Sequence, residues 1–229
     1  GSDIISPYLY KDTDGEFMGI DVEIATEALH RMGYEPEFKL IVWENKNKLL
    51  EDGEVDCIWG CFSMNGREDK YLWAGPYLYS RQMVAVRMDS EIQKLKDLTG
   101  KMIAVQETSK AEEYFLRSDF EGIPDVSLVY CFSNMDEVFA ALRKNYVEAI
   151  CGHESALISF INTAPDEYRL LDESFLYSAL GVAFDIQYDE EFVEELFKTL
   201  GDMMNDGTIA AIVGKYGLDA EKSLGRGND

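Results

Sequence analysis

Basic residues are scarce in this sequence, with 21 lysines and arginines against 44 aspartates and glutamates and a formal charge of −23. Nucleic acid and anionic membrane surfaces would be repelled by such a protein, so neither is expected as a partner. The sequence also lacks any run of eighteen apolar residues, so no segment is expected to span a bilayer. The acidic residues are spread along the chain, which is typical of a solubilising surface.

Histidine and cysteine are too few and too scattered for a zinc site. His30 and His153 are far apart in sequence, and the four cysteines form no Cys-x-x-Cys pair. Cys57 and Cys61 lie four residues apart along an apparently extended segment, where a rise of about 3.3 Å per residue separates their Cα atoms by roughly 13 Å, beyond disulfide reach. We therefore expect buried free thiols. The sequence has no nucleophilic triad, phosphate-binding loop or metal motif either, so no cofactor is expected.

The residues that are present favour a globular α/β protein. The 229 residues, of which 46% are hydrophobic, suffice for one large or two modest domains. A first helix is predicted from Asp21, which suits an N-cap, to a stop at Gly33. A strand over 36–43, a short helix over 45–52 and a strand over 54–60 follow. This alternation favours mainly parallel sheets flanked by helices.

The same alternation recurs in the middle of the chain and again near its end. Strands are predicted over 101–105, 126–132, 147–152 and 179–186, and helices over 109–118, 135–145, 154–161, 190–207 and 208–217. Two α/β units are therefore expected, with a cleft between them. Ligands of such sheets bind beyond the carboxyl ends of the strands.

The stretch "WGCFSMNGRED", residues 59–69, places a solitary arginine just beyond a buried strand. Gly60 would let the backbone approach a ligand, and the planar fork of Arg67 matches a carboxylate. A surface ion pair of Arg67 with Glu68 or Asp69 explains the pattern equally well.

Two further predicted strand ends carry polar residues. Thr108 and Ser109 mark a helix start, because Ser109 with Glu112 fits a capping box. The N–H groups there would attract an anion, although such a box is usually only a cap. His153 and Glu154 follow another strand, where a single histidine is more often structural than functional.

The ordered motifs "SPYLYKDTDGEFMGIDVEIATEALHRMGY", "GEVDCIWGCFSMNGRED", "WAGPYLYS", "LKDLTGKMIAVQETSKAEEYF" and "MDEVFAALRKNYVEAI" resemble the bacterial extracellular solute-binding proteins of the polar amino-acid-binding family. The resemblance continues to "MMNDGTIAAIVGKYG" and so covers essentially the whole chain. It implies a two-lobed type II periplasmic-binding fold. Lobe 1 would be 1–84 plus 181–229 and lobe 2 the inserted 85–180, with hinges near 83–88 and 177–182 and a ligand cleft that closes between the lobes.

The resemblance also implies roles for individual residues. Arg67 would bind the α-carboxylate of the ligand, and Thr108 and Ser109 would complete that clamp. The other ligand contacts implied are the backbone of Gly60 and Phe62, the ring of Trp43, and Ile5 or Tyr8 on the opposite wall.

The sequence departs from the family pattern at the ligand site. His153 stands where an aspartate commonly pairs with the ligand ammonium, and a neutral histidine cannot supply that charge. Glu154 or Glu107 would replace the aspartate, or the ligand lacks an ordinary α-ammonium group. Phe62 stands where a threonine is common.

Two other features of the sequence bear on the ligand and on the fold. The rings of Trp43, Trp59 and Phe62 favour a flat or apolar ligand part, although Trp59 suits the core of its sheet equally well. Only six residues precede "PYLYKD", so the first strand of the family is expected to be short or missing.

The function implied is extracytoplasmic binding of an amino acid or a related carboxylate by a monomer. The partner would be a membrane permease or a membrane-anchored signalling domain, and the starting Gly-Ser is typical of an expression scar that replaces a targeting segment. The alternative is an enzyme similar to the cyclohexadienyl dehydratases, with acid and base groups from Glu107, Lys110, His153 and Glu154. We favour a protein that is not an enzyme, because those residues are more simply explained as ligand contacts or solvated groups.

Overall fold

Strands and helices alternate along the chain, which confirms the predicted α/β architecture. The computed structural model describes residues 1–117, 122 and 124–225. Its strands are β1 Tyr10–Lys11, β2 Phe17–Met18, β3 Cys57–Ile58, β4 Leu72–Arg87, β5 Met102–Gln106, β6 Leu128–Phe132, β7 Ala149–His153, β8 Tyr168–Leu170 and β9 Leu176–Phe184. Its helices are α1 Ile20–Arg31, α2 Lys46–Glu51, α3 Lys110–Leu116, α4 Met135–Arg143, α5 Glu154–Ile161, α6 Glu190–Asn205, α7 Thr208–Lys215 and α8 Ala220–Ser223.

The chain folds as two compact units. Unit 1 is Gly1–Ser80 with Ser178–Asp229, and unit 2 is Arg81–Tyr177. The chain leaves unit 1 within β4 and returns within β9. The sequence-based boundaries, at 84/85 and 180/181, lie a few residues further along the same two strands. Residue 118 of the predicted helix 109–118 lies outside the described residues, as do residues 119–121, 123 and 226–229 of the predicted lobes.

In unit 1 the start of the chain pairs with two other segments. The Gly1 carbonyl accepts a hydrogen bond from Trp59 N–H at 3.0 Å, and Ser2 N–H donates to the Lys39 carbonyl at 3.1 Å. The strand predicted over 36–43 is wrong, because only the bridge between Ser2 and Leu40 forms there. The chain then turns into a 3-10 helix, Trp43–Asn45. Next to these segments, β3 pairs with β9 in antiparallel fashion.

Unit 2 contains the parallel strands that the sequence predicted. β5 lies between β6 and β7 and is parallel to both, while β4 runs antiparallel to β7 and β8. The core is formed by apolar side chains of β5 and β7 and of α3, among them Val105, Phe115 and Cys151. Within the described part of the chain, no helix has both the length and the hydrophobicity needed to cross a membrane.

Candidate functional site

The side chain of Phe62 lies at the centre of a group of aromatic rings in unit 1. Its centroid is 5.1 Å from that of Trp43, 5.4 Å from that of Tyr71 and 5.3 Å from that of Trp73. Phe62 is only 1% exposed and Trp43 is 7% exposed. We call Trp43, Phe62, Tyr71 and Trp73 the aromatic cluster. Phe62 and Trp43 pack within the core of unit 1. Their rings therefore support the neighbouring residues from the core side.

Arg67 lies on this cluster and is half-buried. Its Cζ is 5.1 Å from the centroid of Phe62, and its Nη1 donates to the carbonyl of Ser63 at 3.0 Å. The Arg67 carbonyl in turn accepts a hydrogen bond from Trp73 Nε1 at 3.1 Å. Cation–π attraction and the hydrogen bond to the Ser63 carbonyl order the long side chain, so less entropy would be lost when the guanidinium binds an anion.

Lys46 is a second cation at the aromatic cluster, and the sequence analysis missed it. Its Nζ lies 4.8 Å from the centroid of Trp43 and 5.8 Å from that of Phe62, and donates to the Trp43 carbonyl at 3.3 Å. The spacing of Trp43, Lys46 and Leu50 places them on one face of a helix, and all three are buried. That spacing was the signal that could have found Lys46.

Gly60 has a packing role that the sequence did not reveal. A side chain at Gly60 would collide with Ser2 Oγ, so the space that its Cβ would occupy is filled by unit 1 itself.

Trp59 is buried and its ring lies 5.8 Å from that of Tyr77, which places it in the core. Its Nε1 has no hydrogen-bond partner among the described residues. Tyr8 is also buried, with 2% of its surface exposed.

Asp21 was predicted to be the N-cap of α1, and this is wrong. Gly19 occupies the N-cap position, with φ of 130°. Asp21 lies inside the helix and points into unit 1. Its Oδ2 accepts from Cys61 N–H and its Oδ1 accepts from the Tyr77 hydroxyl, both at 2.8 Å. Burial raises the pKa of the Asp21 carboxyl to about 7, although these hydrogen bonds oppose the shift. The carboxyl thus fixes the backbone at Cys61, whose φ is 49°.

In unit 2, Thr108 and Ser109 form the start of α3. The predicted cap is confirmed, since Ser109 Oγ accepts from Glu112 N–H at 3.2 Å. The Glu112 carboxylate reaches Thr108 N–H at 2.6 Å, and Thr108 has φ of 53°. A carboxylate of the chain itself therefore already occupies this N–H group.

His153 and Glu154 are both engaged within unit 2. The amide nitrogen of Gln82 lies 3.0 Å from His153 Nε2, and Gln82 is buried. Glu154 forms a bidentate ion pair with Arg81, in which Arg81 Nε donates to Glu154 Oε2 at 2.8 Å. The hydrogen bonds to Glu154 are the main cause of the raised pKa of Arg81, and this ion pair already neutralises the Glu154 carboxylate. Neither Arg81 nor Gln82 was identified from the sequence.

Lys110, another of the residues considered as an enzymatic acid or base, also has a local partner. Lys110 is buried and forms an ion pair with Glu113, which also pairs with Arg117. These contacts and the Arg81 ion pair give the charged groups structural partners inside unit 2.

The cysteines form no disulfide among the described residues. Cys61 and Cys151 are buried as expected, whereas Cys57 and Cys131 are only half-buried. Burial raises the pKa of all four thiols, to about 11 at Cys57 and about 12 at Cys131, so they are held as neutral thiols. No group of three metal-ligating side chains occurs in the part of the chain that the structure describes.

Comparison with known proteins places the chain in a family. Residues 2–219 match the family model described as bacterial extracellular solute-binding proteins, family 3. The L-cystine-binding protein TcyA of Bacillus subtilis is 25% identical over 94% of this chain and 79% of its own length. The putative amino-acid ABC transporter-binding protein PatH of Vibrio harveyi is 26% identical over 94% of this chain and 86% of its own length.

Solved structures agree with this assignment. The crystal structure of Tv2483 bound to L-arginine is 27% identical and has a TM-score of 0.85, over 94% of this chain and 87% of that one. This likeness extends over both units and confirms the type II periplasmic-binding fold. The chain therefore belongs to the bacterial extracellular solute-binding proteins, family 3.

Proposed function

We propose that this protein is an extracytoplasmic receptor that binds a small solute with a carboxylate group, an amino acid or an amino-acid derivative. Its relatives are described as binding L-cystine or as amino-acid transporter-binding proteins, which supports this class of ligand. The same relatives favour a protein that binds and releases its ligand over one that converts it. The observation that carries the proposal is the position of Arg67 on the aromatic cluster.

We assign the ligand carboxylate to Arg67. A guanidinium forms two parallel hydrogen bonds with a carboxylate, and such charge-assisted bonds are stronger than neutral ones. The ring of Phe62 and the carbonyl of Ser63 hold the guanidinium, which lowers the entropic cost of binding. In a chain of net charge −23, such a cation also gives an anionic ligand a local attraction that the rest of the surface lacks.

The remaining assigned contacts divide into two kinds. Trp43, Phe62 and Tyr8 are buried, so we assign them to the support of the site rather than to broad contact with the ligand. Gly60, Thr108, Ser109, His153 and Glu154 stay assigned as ligand contacts through backbone or polar groups. Because Arg81 already neutralises Glu154, we do not assign Glu154 as the main counter-charge of a ligand ammonium.

The partner we propose is the membrane permease of an ABC transporter, in keeping with the description of PatH. A membrane-anchored signalling domain is the other partner that the same fold would serve. We propose that the receptor acts as a monomer, because net charge of this size opposes self-association.

The proposal is tested by a thermal-shift screen of the purified protein. The ligands are the standard amino acids, L-cystine, and aliphatic and aromatic carboxylic acids that lack an α-amino group. A ligand that binds only the folded state at about 100 times its Kd adds about 2.7 kcal/mol to the free energy of unfolding. We expect such a shift with at least one carboxylate, and its loss in Arg67→Ala.

Arg143→Ala is the matched control for this screen. Its Cζ lies 4.9 Å from the centroid of Phe160, so the variant loses the same kind of arginine–phenylalanine contact in unit 2. We expect Arg143→Ala to keep the ligand-induced shift, measured against its own ligand-free baseline. The proposal fails if no carboxylate shifts the melting temperature, or if the shift survives in Arg67→Ala.

A further inference from the structure

The buried carboxyl of Asp21 is connected to Arg67 by a short series of contacts within unit 1. Asp21 Oδ2 accepts a hydrogen bond from Cys61 N–H at 2.8 Å. Cys61 is followed directly by Phe62 and Ser63. These two residues hold the guanidinium of Arg67, whose Cζ lies 5.1 Å from the Phe62 centroid and whose Nη1 donates to the Ser63 carbonyl at 3.0 Å. A change at Asp21 therefore reaches the support of Arg67 through consecutive residues.

Cys61 begins a stretch of chain, residues 61–67, that we call the Arg67 segment. The φ of Cys61 is 49°, in the left-handed region that a residue with a side chain adopts at a cost. The hydrogen bond to Asp21 fixes the N–H group of this residue. Further along, backbone hydrogen bonds to β9 hold Phe62 and Met64. Asp21 is thus the anchor of the first residue of the segment.

No cation balances the charge of Asp21 among its bonded partners. Asp21 is 1% exposed, and a buried carboxylate without a charged partner is costly. Its carboxyl has two partners in the described part of the chain, the Cys61 N–H and the Tyr77 hydroxyl, and both are uncharged donors. Burial accordingly raises the pKa of this carboxyl to about 7. The carboxyl therefore changes its charge near neutral pH.

The charge on Asp21 and its two hydrogen bonds reinforce each other. Both bonds oppose the effect of burial on the pKa of Asp21, because they favour the ionised form. Such coupling is reciprocal, so ionisation strengthens the bonds in return. A hydrogen bond to a carboxylate is roughly twice as strong as one between neutral groups. Ionisation of Asp21 therefore tightens its hold on the Cys61 N–H, and protonation weakens it.

The ionisable groups nearest to Asp21 lie on β4, at Cys61 and near the start of the chain. Burial raises the pKa of Tyr77 and of Cys61 well above their ordinary values, so both stay neutral near pH 7. Tyr8 bonds to the Cys61 thiol, and Asp3 acts on that thiol through its charge. Asp3 is thus the other carboxyl for which a test must control.

The elements that pack on α1 add no charged partner for Asp21 within the described residues. β2 is Phe17–Met18 and brings no titratable group. The charged groups where α6 and α7 meet α1 pair with one another, as Lys215–Glu23, Arg31–Glu27 and Arg31–Asp206. The charge state of Asp21 therefore depends on its own burial and on its two hydrogen bonds.

We propose that Asp21 is a positioning residue of the ligand site, whose ionised carboxylate holds the Arg67 segment in the form that binds a carboxylate and whose protonation weakens that hold. The receptor then binds its solute more tightly at neutral or alkaline pH than at acidic pH. Asp21 acts through Cys61 rather than by contact with the solute. This inference rests on the proposed function, and it adds control by pH to the same site.

An NMR titration of the ligand-free protein tests the hold of Asp21 on the segment. The amide signal of Cys61 and the Nε–Hε signal of Arg67 are followed from about pH 5.5 to about pH 8.5, on either side of the pKa of Asp21. We expect both signals to shift with a midpoint near pH 7. Neither should show this midpoint in Asp21→Asn. Both should keep it in Asp3→Asn, the matched control that removes the other nearby carboxyl.

Affinity is the second readout. The amino acids and carboxylic acids of the thermal-shift screen are titrated calorimetrically into wild-type protein and Asp21→Asn at about pH 6 and about pH 8, on either side of the same pKa. Both proteins meet the same probe at the same pH, so titration of the probe cancels. Asparagine is uncharged, like the protonated carboxyl, so the two proteins should bind about equally at the lower pH. At the higher pH, wild-type protein should bind about threefold or more tightly, because only its hydrogen bond to Cys61 is charge-assisted.

The outcomes separate this inference from the proposed function. A Cys61 amide signal that does not titrate near pH 7 in the wild-type protein would overturn the inference, and this measurement needs no variant to fold. A midpoint that persists in Asp21→Asn, or disappears in Asp3→Asn, would overturn it as well. If carboxylates bind with the same wild-type to Asp21→Asn ratio at both pH values, the proposed function stands alone. If both signals titrate as expected but no carboxylate binds at either pH, the proposed function and the predicted effect on affinity are overturned, while the hold of Asp21 on the Arg67 segment stands.

Discussion

The carboxylate of Asp21 accepts a hydrogen bond from the hydroxyl of Tyr77 at 2.8 Å. The other carboxylate oxygen accepts from the backbone of Cys61, at the start of the segment that leads to Arg67. Tyr77 belongs to β4, the strand by which the chain leaves unit 1. One buried side chain thus joins α1, β4 and the loop that carries the proposed ligand cation.

The first prediction concerns the pH dependence of stability. The folded-state pKa of Asp21 is about 7, above its ordinary value of 3.8. The folded state therefore keeps a proton that the unfolded state has released, and this stabilisation is lost as the pH rises from about 4 to about 7. Asp21→Asn cannot titrate, so its stability relative to wild type should increase over that window. Urea unfolding at intervals between pH 4 and pH 8 measures the difference.

The two groups that bond to the Asp21 carboxyl belong to residues that do not titrate in this window. Cys61 and Tyr77 have pKa values raised well above their ordinary ranges by burial. Asp21→Ala is the matched comparison, because it leaves the Cys61 N–H and the Tyr77 hydroxyl without their partner. Each unsatisfied group should lower the free energy of unfolding by about 1–3 kcal/mol. A difference between Asp21→Asn and wild type that does not vary with pH would contradict the prediction.

The second prediction concerns the core role of Phe62. Phe62→Ala should lower the free energy of unfolding by about 3–5 kcal/mol, because it removes the ring at the centre of the aromatic cluster. Phe197 is 52% exposed on α6, so Phe197→Ala should change stability by about 0.5 kcal/mol or less. Denaturant unfolding measures both. Similar losses in the two variants would mean that the cluster is not a core.

The third prediction concerns two glycines. Gly60→Ala should be destabilising by about 1–3 kcal/mol, because its Cβ would collide with the Ser2 side chain. Gly201 lies within α6 with open space around its missing Cβ, so Gly201→Ala should stabilise the protein by about 0.5–1 kcal/mol. Both values come from thermal or urea unfolding.

A rescue variant sharpens this third test. In the double variant Ser2→Gly with Gly60→Ala, the space for the new methyl group is restored, so part of the lost stability should return. A Gly60→Ala variant that is as stable as wild type would contradict the close contact between Ser2 and Gly60.

Local patterns in the sequence predicted the elements whose signals lie within the element itself. The helix over 154–161 forms with those bounds as α5, and the Ser109 cap of α3 is confirmed. In these cases spacing and capping chemistry act within a few residues. They do not depend on the rest of the fold.

Features that depend on distant partners were missed or predicted wrongly. Asp21 resembles an N-cap, but its partners are Cys61 and Tyr77, both distant in sequence. The strand over 36–43 fails because only Ser2 pairs there. Tertiary contacts decide both outcomes, and a single sequence does not reveal them.

The candidate site shows the same division. The resemblance placed Arg67 at the site, but composition and spacing alone left a surface ion pair as an equal alternative. Lys46 was missed because a lysine in a short polar helix suggests a solvated face. Its burial is evident only once Trp43 and Phe62 are seen to pack beside it.

The fourth prediction tests the carboxylate assignment itself, by isothermal titration in a double cycle. The carboxylate with the largest thermal shift and its primary amide are each titrated into wild-type protein and Arg67→Ala. Removing one partner of a hydrogen-bonded charge pair costs about 2 kcal/mol or more, which is roughly thirtyfold in affinity. We predict that loss for the carboxylate and almost none for the amide. Equal losses for both ligands, or a carboxylate affinity in Arg67→Ala within about threefold of wild type, would contradict the claim that Arg67 binds the ligand carboxylate.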